Sequence, residues 1–217
     1  SISFSEYSYS YEDKNTTSPS FELDVWNPVY TDHITMHYFS SQGWFGWTTT
    51  FGQLSNFQNE LRNDDGYENV VIIAVGQSNI SSFNSSYCEN SDLPLVEDTY
   101  PTLPIREQFS SLEIGGDDGL HKQLVILNYD GTLLSNLILS SGVTTNVKNY
   151  IRDILSENYE QVLIGDLNND STINVQDIIL IINIILYGGN NPAGDMNGDG
   201  TINVLDVVQV VNIILNS

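Results

Sequence analysis

The 217-residue sequence predicts an α/β domain, a central mixed sheet flanked by helices, followed by a small all-α domain of about 50 residues. Three observations carry this reading. Residues 70–76 (VVIIAVG) form a continuous apolar run, the mark of a strand buried on both faces. Strand-like and helix-like periodicities alternate around it between residues 33 and 155. From residue 165 onward, one loop–helix pattern is written twice.

Residues 1–30 read as a β-rich, exposed N-terminal extension. Tyr7, Tyr9 and Tyr11 alternate with Ser and Glu, and Phe21, Leu23 and Val25 alternate again after a polar turn at 13–20. Such a segment serves either as an ordinary sheet edge or as a strand for pairing with another chain. Residues 31–160 make the body. A strand is expected at 33–39, then a helix at 48–62 whose stripe is Phe51, Leu54, Phe57 and Leu61, then the buried strand at 70–76. A helix starts near Pro104 and runs over 103–109. Strands at 124–129 and 133–139 flank Asp130-Gly131, a hairpin signal. A last helix at 147–155 turns Val147, Tyr150, Ile151, Ile154 and Leu155 to the core, with Thr144 or Thr145 as its cap.

The order β-α-β-α-β-β-α is thioredoxin-like. Residues 66–82 (GYENVVIIAVGQSNISS), Leu93-Pro94-Leu95-Val96 and residues 124–134 (LVILNYDGTLL) look similar to the thioredoxin-like amino-terminal domain of selenoprotein P and related redoxins. The resemblance spans roughly residues 30–157. It implies Cys-x-x-Cys, or Cys-x-x-selenocysteine, after the first strand, where a helix N-terminus lowers a thiol pKa. Those two positions fall on Trp44 and Trp47, and the cis-proline position falls near Lys122-Gln123, neither of them proline. An indole offers no thiolate, so the expectation is a degenerate domain with its redox chemistry lost. The lone Cys88 lies beyond the second strand and reads as a small buried hydrophobe. His33, His37 and His121 come with no Gly-x-Ser-x-Gly elbow, and Asp64-Asp65 and Asp117-Asp118 read as turn residues beside glycine.

Residues 165–186 read GDLNNDSTINVQDIILIINIIL, and residues 194–215 read GDMNGDGTINVLDVVQVVNIIL. The copies lie 29 residues apart and match at 13 of 22 positions. A calcium loop supplies oxygens at positions 1, 3, 5, 7, 9 and 12. These are Asp166, Asn168, Asp170, Thr172, Asn174 and Asp177 in the first copy, and Asp195, Asn197, Asp199, Thr201, Asn203 and Asp206 in the second. Three carboxylates per loop repel one another unless a cation sits between them, so two Ca²⁺ per chain are expected. Neither loop is preceded by a helix, since residues 187–194 (YGGNNPAG) are a linker.

This loop–helix, linker, loop–helix layout over residues 164–217 resembles a dockerin, the calcium module that plugs secreted proteins into cohesin domains. The resemblance implies a protein partner read by the helices. Here Val175-Gln176 and Val204-Leu205 stand where a Ser-Thr-like pair is common, and Ile182-Asn183 and Val211-Asn212 stand where basic residues are frequent. Candidate interface residues are Val175, Gln176, Leu180, Val204 and Leu205. Leu180 replaces the Gln209 of the second copy, which predicts a stickier first helix.

Six Lys+Arg against 28 Asp+Glu give a net charge of −22, which disfavours nucleic acid and anionic lipid as partners. Two bound Ca²⁺ would bring it to −22 + 4 = −18. No apolar run is long enough to span a membrane. A start at Ser1 without Met fits a processed, secreted product, and Asn15, Asn79, Asn84 and Asn169 sit in N-x-S/T sequons. The expected function is a secreted, non-enzymatic, calcium-binding interaction or scaffold protein docking to a cohesin-like partner or to its own body. The alternative is a structural subunit of an extracellular filament or surface layer, a homo-oligomer or polymer assembled through the N-terminal strand. A thiol oxidoreductase or peroxidase is the third, disfavoured by Trp44 and Trp47.

Overall fold

In β4 (Val70–Gln77), alternate residues serve opposite sides of one sheet: Val70, Ile72 and Ala74 enter one core, Val71, Ile73 and Val75 another. That is why the run lacks polar positions. The computed structural model describes residues 7, 9–26, 33–39, 48–114, 120–159, 164–168, 170, 172–189, 191–197 and 201–216. The chain forms two compact units, Ser1–Tyr159 and Glu160–Ser217.

The first unit is thioredoxin-like. Its five-stranded sheet has the order β5-β4-β3-β6-β7, with β3 (Ile34–Phe39), β5 (Leu95–Asp98), β6 (Gln123–Leu127) and β7 (Leu133–Ile138). The β5–β4–β3 pairs are parallel and the β3–β6–β7 pairs antiparallel. One face packs under α1 (Thr48–Asn63), α2 (Ser81–Asn90) and α4 (Thr145–Asn158). There Phe51, Leu54, Phe57 and Leu61 meet Met36, Tyr38 and Ile126, as their helical spacing predicts. Thr144 caps α4, its hydroxyl accepting from the Val147 amide at 3.4 Å. Tyr150, expected in the core, is exposed on α4, where its hydroxyl meets Ser135 at 2.9 Å. β7 is the edge strand, and the phenol's polar tip finds its partner there rather than in the core.

The opposite face is covered by α3 (Pro104–Phe109) and by an antiparallel hairpin, β1 (Ser10–Glu12) with β2 (Asp24–Trp26). Residues 1–30 were expected to be exposed. Instead Tyr7, Tyr9, Val25 and Trp26 are buried against Ile73, Val75, Val96 and Phe109, while Phe21 and Leu23 stay outside. The six-residue α3 cannot cover this face alone, so hairpin aromatics complete it. The link between the two strands is latched to the start of β5. Asp13 Oδ1 accepts from the Leu95 amide at 2.9 Å, and Asn15 Nδ2 donates to the Ser91 and Leu93 carbonyls, each at 2.8 Å. Neither α2, rich in Ser and Asn, nor the four-residue β5 shows a periodicity, and sequence reasoning missed both as elements.

The second unit contains α5 (Val175–Tyr187) and α6 (Val204–Asn216), joined through a 3-10 turn at Pro192–Gly194. Its core is Leu167, Ile181, Ala193 and Val210, with Ile173, Ile178, Leu180 and Ile184 packed against it from the first copy and Met196, Ile202, Val207 and Ile214 from the second.

Candidate metal centres and docking face

Each loop is wound by short hydrogen bonds from its own backbone. In the first, Asp166 Oδ1 and Asn168 Oδ1 both accept from the Asp170 amide, at 3.1 and 3.0 Å, so the oxygens of positions 1 and 3 lie side by side. Asp170 Oδ1 accepts from the Thr172 amide at 2.9 Å, which turns position 5 the same way. Asn174 caps α5 through the Gln176 amide (2.7 Å), and its amide nitrogen donates to the Thr172 carbonyl at 3.1 Å. The second loop repeats this end: Asn203 caps α6 through the Leu205 amide at 2.9 Å and donates to the Thr201 carbonyl at 3.0 Å. Asp199 lies outside the described residues.

The position-12 carboxylates are fully buried. Asp177 Oδ1 accepts from the Leu167 and Asn168 amides at 2.8 and 3.3 Å, and Oδ2 from Asn174 at 2.9 Å. Asp206 does the same with Met196 (2.9 Å) and Asn203 (2.8 Å). Each therefore ties the entry of its loop to the first turn of its helix, where the amide dipoles favour an anion. The two copies interlock. A side chain at Gly165, whose φ is +99°, would press on Ile173 and on Met196 of the second copy, and one at Gly194 would press on Ile202 and lie in ordinary contact with Leu167 of the first.

Among the described residues no three carboxylate, histidine or cysteine side chains gather as a ready metal-holding group. The donor set here is of another kind, mixing carboxylates with Asn and Thr oxygens. Residues 160–217 contain no Lys or Arg, so no protein cation within the unit answers Asp166 and Asp170. An all-oxygen, multiply acidic loop in a unit whose sequence has no Lys or Arg fits a hard divalent cation.

The candidate interface residues divide. Val175 (60% exposed), Val204 (65%) and Leu205 (58%) face solvent, and so does Gln176, whose side-chain oxygen accepts from Asn168 at 3.2 Å. Leu180 does not join them. It is half-buried against the module's own core, and its counterpart Gln209 on α6 is likewise partly buried. What sequence reasoning missed is a stripe on the outer face of α5: Val175, Ile179, Ile182 and Leu186, spaced 4, 3 and 4 residues apart and all exposed. The same positions of α6 are Val204, Val208, Val211 and Leu215, of which only Val211 is partly covered.

In the first unit, Trp44 and Trp47 lie outside the described residues. Cys88 sits on α2 rather than after β3, half-buried, and burial pushes its thiol pKa up, away from a reactive thiolate. His37 is a core residue. Tyr9 Oη lies 2.5 Å from its Nδ1 and Thr35 Oγ1 2.9 Å from its Nε2, and burial lowers its pKa to about 3. A buried clamp stands near the carboxyl ends of β4 and β5, unforeseen from sequence because its parts are scattered. Asp98 accepts from the Ile105 and Arg106 amides at 3.0 and 2.9 Å, and the Arg106 guanidinium donates to the Val75 and Leu120 carbonyls at 2.8 and 3.0 Å. Burial lowers the Arg106 pKa to about 10, so it stays a cation at neutral pH.

Residues 164–215 match the family model of the dockerin type I domain. No curated protein matches the sequence. Among solved structures, the chain is similar to Trgpx in apo form, at 9% identity and a TM-score of 0.50, over 73% of this chain and 100% of that one. It is also similar to the mitochondrial 2-cys peroxiredoxin from Plasmodium falciparum, at 14% identity and a TM-score of 0.50, over 87% and 99% of the two chains. At such identities the likeness shows the thioredoxin-like fold alone. The dockerin match adds a protein-docking role for the second unit.

Proposed function

We propose that this chain is a secreted, non-catalytic docking protein whose second unit holds two Ca²⁺ and seats a cohesin-type domain on the outer faces of α5 and α6. The observation that carries the reading is the twin loop–helix unit with an exposed apolar stripe turned away from its own core. Asp166, Asn168, Asp170, Thr172, Asn174 and Asp177 would hold one ion, and Asp195, Asn197, Asp199, Thr201, Asn203 and Asp206 the other. A bound ion supplies the positive charge that the loop acids lack. With the loops locked, α5 and α6 are held at a fixed mutual setting around Ile181 and Val210, and the stripes become a rigid surface. The thioredoxin-like unit serves as the body that the module carries. Its fold is that of redox enzymes, yet the chain has a single cysteine, on α2, and no pair to cycle between dithiol and disulfide. Assembly through the N-terminal strand finds no support in residues 10–26, whose strands pair with each other and pack on their own sheet.

Calorimetric titration of the full chain with a panel of type I cohesin domains tests the proposal. Binding to at least one member in calcium, abolished by EDTA, is expected. Failure to bind any member, or binding indifferent to EDTA, overturns it.

A further inference from the structure

All six basic residues lie within residues 1–159: Lys14, Arg62, Arg106, Lys122, Lys148 and Arg152. Residues 160–217 carry none. Their acids are Glu160 and the six loop aspartates Asp166, Asp170, Asp177, Asp195, Asp199 and Asp206. Of these, only Asp177 and Asp206 belong to α5 and α6, and both are fully buried beneath the loops. The outer faces of both helices therefore bear no charge of either sign. What they present is Val175, Ile179, Ile182 and Leu186 on α5, a strip about 16 Å long at 1.5 Å per residue, and the matching positions of α6, with Asn183 and Asn212 beside them.

We infer that the partner is recognised by a charge-free contact: the face that seats on α5 or α6 is itself apolar and uncharged at its centre, with no ion pair across the interface. The inference rests on the docking role proposed above and narrows its partner. A charged group at the centre of the partner's face would be stripped of water opposite valine and isoleucine, with nothing to pair it. A chain of net charge −22 would ordinarily choose a basic partner, but the acids that make up that charge are absent from these outer faces. A second copy of this chain is disfavoured because two such polyanions repel over the rest of their surfaces. Affinity then comes from apolar burial, which salt screens little and sulfate strengthens.

The test uses the full chain at fixed millimolar calcium with type I cohesin domains whose docking faces range from acidic through uncharged to basic. Binding to the uncharged ones is expected, with a Kd that changes less than threefold between 50 and 500 mM NaCl and tightens in sodium sulfate. Ile179→Lys with Val208→Lys, and separately Ile179→Asp with Val208→Asp, should each weaken binding at least a hundredfold. A tenfold loss of affinity across the salt range, or tighter binding by either charged variant, overturns the inference. If no cohesin binds, the docking reading falls, and the charge-free face is then judged on the chain alone. In calcium it should bind the apolar dye ANS and sediment as a monomer, and the double lysine variant, helical by circular dichroism, should lose the dye. A calcium-loaded chain that ignores the dye, or a dimer that the lysines dissolve, overturns the inference as well.

Discussion

Replacing Asp177 with alanine separates a structural from a purely ligating role in the first loop. The carboxylate is fully buried and accepts backbone N–H groups of Leu167, Asn168 and Asn174 at 2.8, 3.3 and 2.9 Å. Asp177→Ala strands at least the Leu167 and Asn174 donors. Each buried donor left without an acceptor costs about 1–3 kcal/mol, so the loss is about 2–6 kcal/mol. A unit of this size draws only about 3–5 kcal/mol from its core, so the variant sits at or beyond unfolding. Asp170→Ala is the control. Asp170 is exposed, and its Oδ1 accepts from the Thr172 amide of a residue that is itself exposed. That change should weaken calcium binding yet leave the saturated module folded. The assay is a calcium titration of the full chain followed by far-UV circular dichroism and by the amide resonances of residues 164–217. Asp177→Ala should need at least a hundredfold more calcium to fold, or fail to fold at all, and Asp206→Ala should behave alike. An Asp177→Ala chain that folds at the wild-type calcium midpoint would refute the reasoning.

Four further outcomes are expected. EDTA should collapse the helical signal and amide dispersion of residues 164–217 while urea unfolding of the first unit stays unchanged. His37 has a folded pKa of about 3, below its ordinary 6.5, so the unfolded chain takes up a proton that the fold refuses. Stability from this group is complete above pH 6.5 and falls between pH 6.5 and 3 by about 1.4 kcal/mol per unit, a slope that His37→Gln should remove from urea midpoints measured across that window. Asn15→Ala breaks two bonds to the Ser91 and Leu93 carbonyls and one from the Thr17 amide, and should lower the unfolding free energy of the first unit by about 2–4 kcal/mol in urea titrations. Insulin reduction and peroxide consumption should be at background, and any turnover abolished by Cys88→Ser would contradict the non-catalytic reading.

What the sequence settled by itself is local chemistry and periodicity. Twelve contiguous residues suffice to write the pattern of a metal loop, so spacing alone proposes Asp166 through Asp177 and Asp195 through Asp206 as ligand sets, which calcium titration tests. A strand buried on both faces announces itself as VVIIAVG, and the stripe from Phe51 to Leu61 names its buried side before any partner is known. The tertiary structure decided the choices for which the sequence holds no local asymmetry. Almost every position of α5 is apolar, so only packing against α6 shows that Leu180 and Ile184 turn inward while Ile179 and Ile182 turn outward. The tyrosines of the N-terminal hairpin alternate as an exposed edge would, yet Tyr7 and Tyr9 are buried, because one face of the sheet had no long helix to cover it. The polar helix at 81–90 follows from no periodicity of its own and rests on Tyr87, which the sheet buries beside Phe51 at a ring separation of 5.1 Å. Burial of a face is a property of the pair that meets there, and a sequence states only one member of the pair at a time.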